Sequence, residues 1–570
     1  MQTLYKLSLT TVKLLTFLLA LLLFAGSFLT TCYTDNMETQ QVLLRIDSPL
    51  WNLLALAGYA LLFGGCLHLF SGIGQKFRKG FLIFTLTLIL FSGVLLILFG
   101  RTVPAADALS VYNAAAEWIL GNTAIIHPTA SYLSYYPQQI GLMAFLEALL
   151  RIWNLTGLSV PAWHFIKFVY VCLLCMAVFF QYLSLKYLWP KHFEPISCCY
   201  LVMVCCNLPM IMYSSFVYGE VPSFAALSVG IFLLLKLLNA CEYSHSVPER
   251  DVCPAENRVL SPQCRILTAL GSILFLTLSV MLRKNSLVLM IAVVLVLLFE
   301  ALHSDRKMKT RLGLLAMAVC LTVTSVGILP FVQKCYEKKA GSTLSSGVTA
   351  MSYFAMGMQE SSRSCGWYNG FNIDTYEAAG MDSTLANEIS RQAISARLEY
   401  FREHPGYAAS FYLHKHLSQW ADGTYASRQA TLATYGGRSN FFRAVYEGSL
   451  GQSYIEWCNA WQNVLYLGVL LFCFHGFTTC RKKVAASDKA SSPASHRASY
   501  SSCDTDRTGM LYPYVGLIAV FGGFLFHTLW EANSRYIFPY SLLLMPYCAA
   551  GIYAGFHIAR CHLHKKVPSF

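Results

Sequence analysis

Apolar runs of about 20 residues recur along most of this chain, and each is long enough to cross a hydrocarbon layer as a helix. In that solvent every backbone N–H and C=O must be satisfied within its own segment, which leaves helices as the spanning form. The runs lie near 10–31, 50–72, 80–100, 163–185, 195–214, 221–239, 265–282, 286–303, 312–331, 459–477, 510–529 and 536–558. Only 12% of the residues are charged, against about a quarter in soluble domains. The expected fold class is an all-α polytopic membrane protein of about 12 transmembrane helices. The first run follows Lys6 and Lys13 without a convincing small-residue cleavage site, so it reads as a retained first helix rather than a removed signal.

The net charge is +13, but the basic residues do not gather into a nucleic-acid-binding face. They sit in short loops, as membrane orientation requires. Lys76, Arg78 and Lys79 follow the second run, and Lys186 and Lys191 the fourth. Arg306, Lys307, Lys309 and Arg311 follow the eighth, Arg481, Lys482 and Lys483 the tenth, while Arg560, Lys565 and Lys566 close the chain. All fall on one side, the cytoplasm, only if residues 139–156 do not cross. Glu147 and Arg151 lie one helical turn apart there and can pair. Such a pair is costly at mid-bilayer and tolerable at its surface. The reading is therefore an outer loop, 101–160, with two membrane-surface helices near 107–120 and 138–153. Both termini are expected in the cytoplasm of a multi-pass plasma-membrane protein.

The expected organisation is a transmembrane core over 1–331, an extracytoplasmic and mostly helical segment over 332–458, and C-terminal spans over 459–570. The last part contains a Ser/Ala/Lys-rich cytoplasmic linker within 478–508. TLANEISRQAISARLEYFREHP reads as one helix ending before Pro405, and PGYAASFYLHKHLSQWADG as the next. The twenty cysteines lie mostly in apolar runs, where they act as small hydrophobes. None has zinc-ligand spacing. A Cys335–Cys365 disulfide requires both to face an oxidising side.

On this topology several charges stand at separate helix ends on the outer face. Arg283 and Lys284 break the orientation rule. They read either as side chains snorkelling to headgroups or as a grip on a phosphoryl group. Arg535, with Glu531 four residues before it, reads as a rim salt bridge or a further phosphate or sugar contact. Asp107 and Glu220 each begin a helix, where a carboxylate serves the dipole or takes a proton from an acceptor hydroxyl. Convergence favours chemistry, because outer carboxylates and cations together suit transfer from a lipid phosphate. Tyr136 and Gln138 are candidate substrate contacts. Trp367, Tyr368, Trp420 and Tyr425 read as sugar-stacking rings or as an interfacial belt. Lys415 is a weak candidate for the same site. His127, His414, His416 and His527 lack metal-like partners and are read as surface or packing residues.

The chain resembles the GT-C superfamily of membrane glycosyltransferases, which includes protein O-mannosyltransferases and bacterial aminoarabinose transferases. The resemblance rests on Pro104 to Asp107 with Tyr112-Asn113-Ala114, on Tyr132-Leu133, and on Tyr136-Pro137-Gln138-Gln139-Ile140-Gly141. Tyr218-Gly219-Glu220-Val221-Pro222, Arg283-Lys284-Asn285 and Glu531 through Tyr536 extend it. It implies a polyprenyl-phosphate-linked sugar donor, two juxtamembrane helices in the first large outer loop, and a catalytic Asp in that loop, matching Asp107. Ala108 stands where protein O-mannosyltransferases have Glu after the Asp, and 332–458 carries no β-rich sensor domain. These departures point to a cell-envelope glycan or lipid acceptor rather than protein mannosylation.

The resulting expectation is an inverting glycosyltransferase. Asp107 is its base, Glu220 supports acceptor or sugar placement, and Arg283, Lys284 and Arg535 hold the donor phosphate. Tyr136, Gln138 and Glu531 are the substrate contacts. No metal, cofactor or nucleic acid is called for; the partners are the lipid donor, a glycan, lipid or protein acceptor, and membrane lipids. The rival readings are a polysaccharide polymerase or ligase using diphosphate-linked glycans, and a non-enzymatic lipid or sugar transporter. Few ionisable residues lie deep in the spans and no internal repeat is visible, both of which disfavour the transporter.

Overall fold

A computed structural model describes residues 2–34, 39–72, 75–129, 131–243, 261–303, 306–489 and 510–565. The protein is an all-α polytopic membrane protein, with eleven helices among the described residues long and apolar enough to cross. They are Thr3–Leu29, Pro49–Phe70, Arg78–Gly100, Ala162–Leu188, Glu220–Ala240, Pro262–Leu282, Lys284–Ala301, Met308–Ala340, Leu450–Gly476, Tyr512–Leu529 and Ser534–Arg560. The passage expected at 195–214 is broken into helices Phe193–Cys205 and Leu208–Tyr213. Asn207 interrupts it, its side chain accepting from the Met210 N–H at 3.1 Å, with Pro209 in the first turn beyond. Together the two pieces return the chain, because Ala162–Leu188 ends on the far face and Glu220 begins beside the end of Pro262–Leu282. Of the Ser/Ala/Lys-rich linker expected within 478–508, residues 490–508 lie outside the described residues.

The first large loop forms helices Ala106–Ile119 and Ile140–Thr156, in the two places anticipated. Glu147 and Arg151 pair at 2.7 Å on the second. Tyr336 also donates to Glu147, and its ring lies 5.0 Å from that of Trp118. These contacts explain why the helix Met308–Ala340 runs past Pro330 and beyond the expected end at 331. Its last turns pack on the two helices of this loop.

One feature was not anticipated. Strands Thr30–Thr34 and Val42–Ile46 form an antiparallel hairpin in which Cys32 faces Leu44. Asp47 locks it by accepting from Thr31 (2.6 Å), Arg45 and Asn459 (3.0 Å). The segment after Ala340 folds into helices Ala350–Gly357, Phe371–Ala378, Ser383–Glu403, Pro405–Trp420, Ser427–Ala430 and Asn440–Glu447. Pro405 opens its helix as read, and Asp382 caps the one before. Cys335 and Cys365 are free thiols, so the disulfide is absent.

Candidate functional site

The site is assembled around the end of the helix Pro262–Leu282. Two glycines allow neighbouring segments to approach its last carbonyls. A Cβ on Gly141 would lie 2.1 Å from the Met281 oxygen, and one on Gly219 2.5 Å from the Leu282 oxygen. Gly141 brings in the second surface helix and Gly219 the Tyr218-Gly219-Glu220 turn.

That approach places Glu220 beside Arg283. The carboxylate, 1% exposed, forms an ion pair with Arg283 and lies 3.6 Å from the Arg535 Nε. Neither of its oxygens accepts a well-directed hydrogen bond. Glu220 is thus the internal counter-ion of two arginines, and its burial leaves no face for an acceptor. The Arg535 guanidinium also lies 5.6 Å from the ring centroids of Phe216, Tyr218 and Tyr536, and that of Arg283 lies 5.9 Å from Tyr536. Stacking of this kind fixes a planar cation without consuming all its N–H donors. Lys284 is exposed at the rim and has no ion pair among the described residues.

Asp107 begins the helix Ala106–Ile119, directly after Ala106 in a left-handed conformation (φ +46°). A non-glycine residue there carries strain of about 1–3 kcal/mol, a cost often found where a side chain must be aimed. Asp107 is half-buried, and among the described residues it accepts no hydrogen bond and forms no ion pair. Its charge raises the hydroxyl pKa values of Tyr132, Tyr136, Tyr218 and Tyr368, in each case behind burial as the main cause. Tyr218 also feels Arg535, Glu220 and Arg283. Tyr218 is thus within electrostatic reach of both the aspartate and the arginine pair, with Arg535 5.6 Å from its ring.

Glu531 lies in the turn between the last two spans and is buried. Burial pushes its carboxyl up to about 7, against the pull of Arg535; Asp107 adds to the rise. Tyr536 donates to it at 3.3 Å. Its turn is held by the Ala532 N–H donating to the Gly366 carbonyl at 2.8 Å, and by Lys415. The Lys415 ammonium is fully buried and donates to the carbonyls of Gly357 (2.5 Å), Thr528 (3.0 Å) and Trp530 (2.9 Å). Its donors are occupied by backbone, so it rivets the turn instead of facing a substrate.

Several residues differ from their sequence reading. Gln138 makes no side-chain hydrogen bond among the described residues, whereas neighbouring Gln139 donates to the Tyr218 hydroxyl. Trp367, Trp420 and Tyr425 are buried in packing, with Trp367 donating to Ser418 at 2.8 Å. Of the four candidate rings only Tyr368 remains partly open, and the Arg363 guanidinium lies 5.0 Å from its centroid. Arg363 was not anticipated. It has no ion pair among the described residues, yet it lies in the fields of Glu531, Tyr536 and Arg535. Its neighbour Cys365 gives no spacing signal for such a role. His527 is buried and stacked 5.7 Å from Tyr536, and His416 4.3 Å from Phe524, as packing residues.

No family model and no curated protein matches this sequence. Among solved structures, the archaeal oligosaccharyltransferase AglB from Archaeoglobus fulgidus, in complex with an inhibitory peptide and a dolichol-phosphate, aligns with a TM-score of 0.41 and 12% identity. The alignment covers 87% of this chain and 53% of that one, so the chain spans about half the length of that protein. An overlap this loose assigns neither fold nor function.

Proposed function

We propose that the protein is a membrane glycosyltransferase that moves a sugar from a polyprenyl-phosphate donor to an extracytoplasmic acceptor. The observation carrying this reading is Asp107, without a hydrogen bond or ion pair among the described residues, within electrostatic reach of Tyr218, whose ring lies 5.6 Å from the Arg535 guanidinium. Asp107 takes the proton of an acceptor hydroxyl as its oxygen bonds to the anomeric carbon. The bond from that carbon to the phosphate oxygen breaks, and the phosphate leaves with the electron pair. Arg283, Lys284 and Arg535 stabilise that charge, and attack opposite the leaving group inverts the centre. Glu220 orients the arginines, while Tyr136, Tyr368 and Glu531 line the acceptor and sugar side. The short loops carrying Lys76, Lys191 and Lys307 lie at the opposite ends of the spans from this cluster. The orientation rule then puts the cluster outside.

Arg363 favours a second reading, in which the donor is a diphosphate-linked glycan and the reaction is that of a polymerase or ligase. A further unpaired guanidinium near Arg535 suits a second phosphate. Purified protein given monophosphate and diphosphate lipid-sugars separates the two. Mass spectrometry of lipid-linked sugars and envelope glycans from cells with and without the protein tests the first. A lipid-linked sugar accumulating in its absence supports transfer and names the sugar; unchanged lipid and glycan profiles overturn it.

A further inference from the structure

A second feature lies on the same membrane face, away from the arginine pair. A groove of about 570 Å³ opens where the spans Arg78–Gly100 and Ala162–Leu188 reach that face. This is within the range of about 300–1,000 Å³ that ligand sites occupy. Ile97, Leu98, Phe165 and Phe168 form its apolar wall. Leu98 and Phe168 are exposed, so in a membrane the groove opens towards lipid. At its mouth stands Arg101, beside Tyr435. Arg101 is exposed, and its guanidinium has no hydrogen bond or ion pair among the described residues.

We infer that this groove binds an anionic phospholipid, with one acyl chain along Ile97, Leu98, Phe165 and Phe168 and the phosphate on Arg101. The argument is charge and depth. The wall lies within the last turn of Arg78–Gly100 and the first turns of Ala162–Leu188, where acyl chains are the solvent, and the unpaired guanidinium of Arg101 follows directly where the first of these spans ends. A neutral headgroup leaves that charge uncompensated, and a planar fork matches phosphate oxygens. The site also touches the path to Asp107. The Tyr435 N–H donates to the Arg101 carbonyl at 3.0 Å, and the Val103 N–H to the Ala433 carbonyl at 2.9 Å. A lipid held at Arg101 therefore braces the seam leading into the helix that carries Asp107. The inference rests on the membrane-spanning fold and not on glycosyl transfer.

The test is native mass spectrometry of the full chain purified in a neutral detergent. Phosphatidylglycerol, phosphatidylcholine and a polyprenyl phosphate are supplied separately. Wild type is expected to retain phosphatidylglycerol about fivefold better than phosphatidylcholine, the effect of one basic residue on an anionic headgroup. Arg101→Gln should abolish the preference and Arg101→Lys should keep most of it. Leu98→Trp, which fills the groove from an exposed position, should lower retention of both phospholipids and serves alone if Arg101→Gln does not fold. Equal retention of the two phospholipids by wild type overturns the site. So does an unchanged preference in Arg101→Gln, or unchanged retention of both phospholipids in Leu98→Trp. Arg101-dependent retention of polyprenyl phosphate without phosphatidylglycerol overturns the assigned occupant.

Discussion

Glu220 and Arg283, from the starts and ends of different spans, form a buried ion pair that Arg535 joins at 3.6 Å. Removing one member of such a set leaves a charge in a medium that cannot solvate it, at about 3–5 kcal/mol. Glu220→Gln is therefore expected to lower thermal stability in detergent markedly and to weaken donor binding with it. An unchanged melting temperature would show that the arginines do not need this counter-ion.

Asp107→Asn should behave oppositely. The carboxylate is half-buried and makes no hydrogen bond or ion pair among the described residues, so the fold loses little. Transfer should fall by about 10²–10⁴, the range for a general base, with melting and membrane insertion as in wild type. Near-normal turnover removes Asp107 from the proposed mechanism.

Glu531 gives a pH dependence. Its carboxyl is raised in the folded protein from 4.5 to about 7. The folded state thus favours the protonated form: the contribution to stability is complete below about 4.5 and is lost as pH rises through about 7. The loss is on the order of 3 kcal/mol. Melting temperatures measured from pH 5 to 8 should fall less in Glu531→Gln than in wild type. Parallel curves would place the raised pKa elsewhere.

Lys415→Met removes the donor shared by three carbonyls, that of Gly357 buried and those of Thr528 and Trp530 partly buried, which are costly to leave unsatisfied. A loss of about 2–4 kcal/mol is expected. Faster hydrogen exchange should be confined at first to the Thr528–Ala532 turn and the segment around Gly357. Lys415→Arg should not rescue it, because a Cβ at Gly366 would already lie 2.8 Å from the lysine stem.

Gly219→Ala forces a methyl group to within 2.5 Å of the Leu282 carbonyl. The turn must move away, carrying Glu220 from Arg283. Loss of both stability and activity is expected in thermal melts and transfer assays, whereas Gly58→Ala, with open space around it, should change neither.

What the sequence determined by itself was what local chemistry encodes. Membrane-length apolar runs gave the helical bundle, and Glu147 with Arg151 marked Ile140–Thr156 as a helix outside the set of candidate spans. Pro405 started a helix where it stands. The broken passage at Asn207 and the helix running through Pro330 escaped this reading, because an apolar run does not disclose where an Asn caps or what a projecting turn will pack against. The site depended more heavily on tertiary structure. Charges at helix ends marked Asp107, Arg283, Arg535 and Glu531 as candidates. Only the folded chain decided that Glu220 neutralises two arginines, that Lys415 is held by backbone carbonyls, and that Arg363 joins the cluster. Those roles follow from which distant groups share a low-dielectric space, where a partner a few ångströms away fixes what a charge can do; sequence spacing carries no record of that distance.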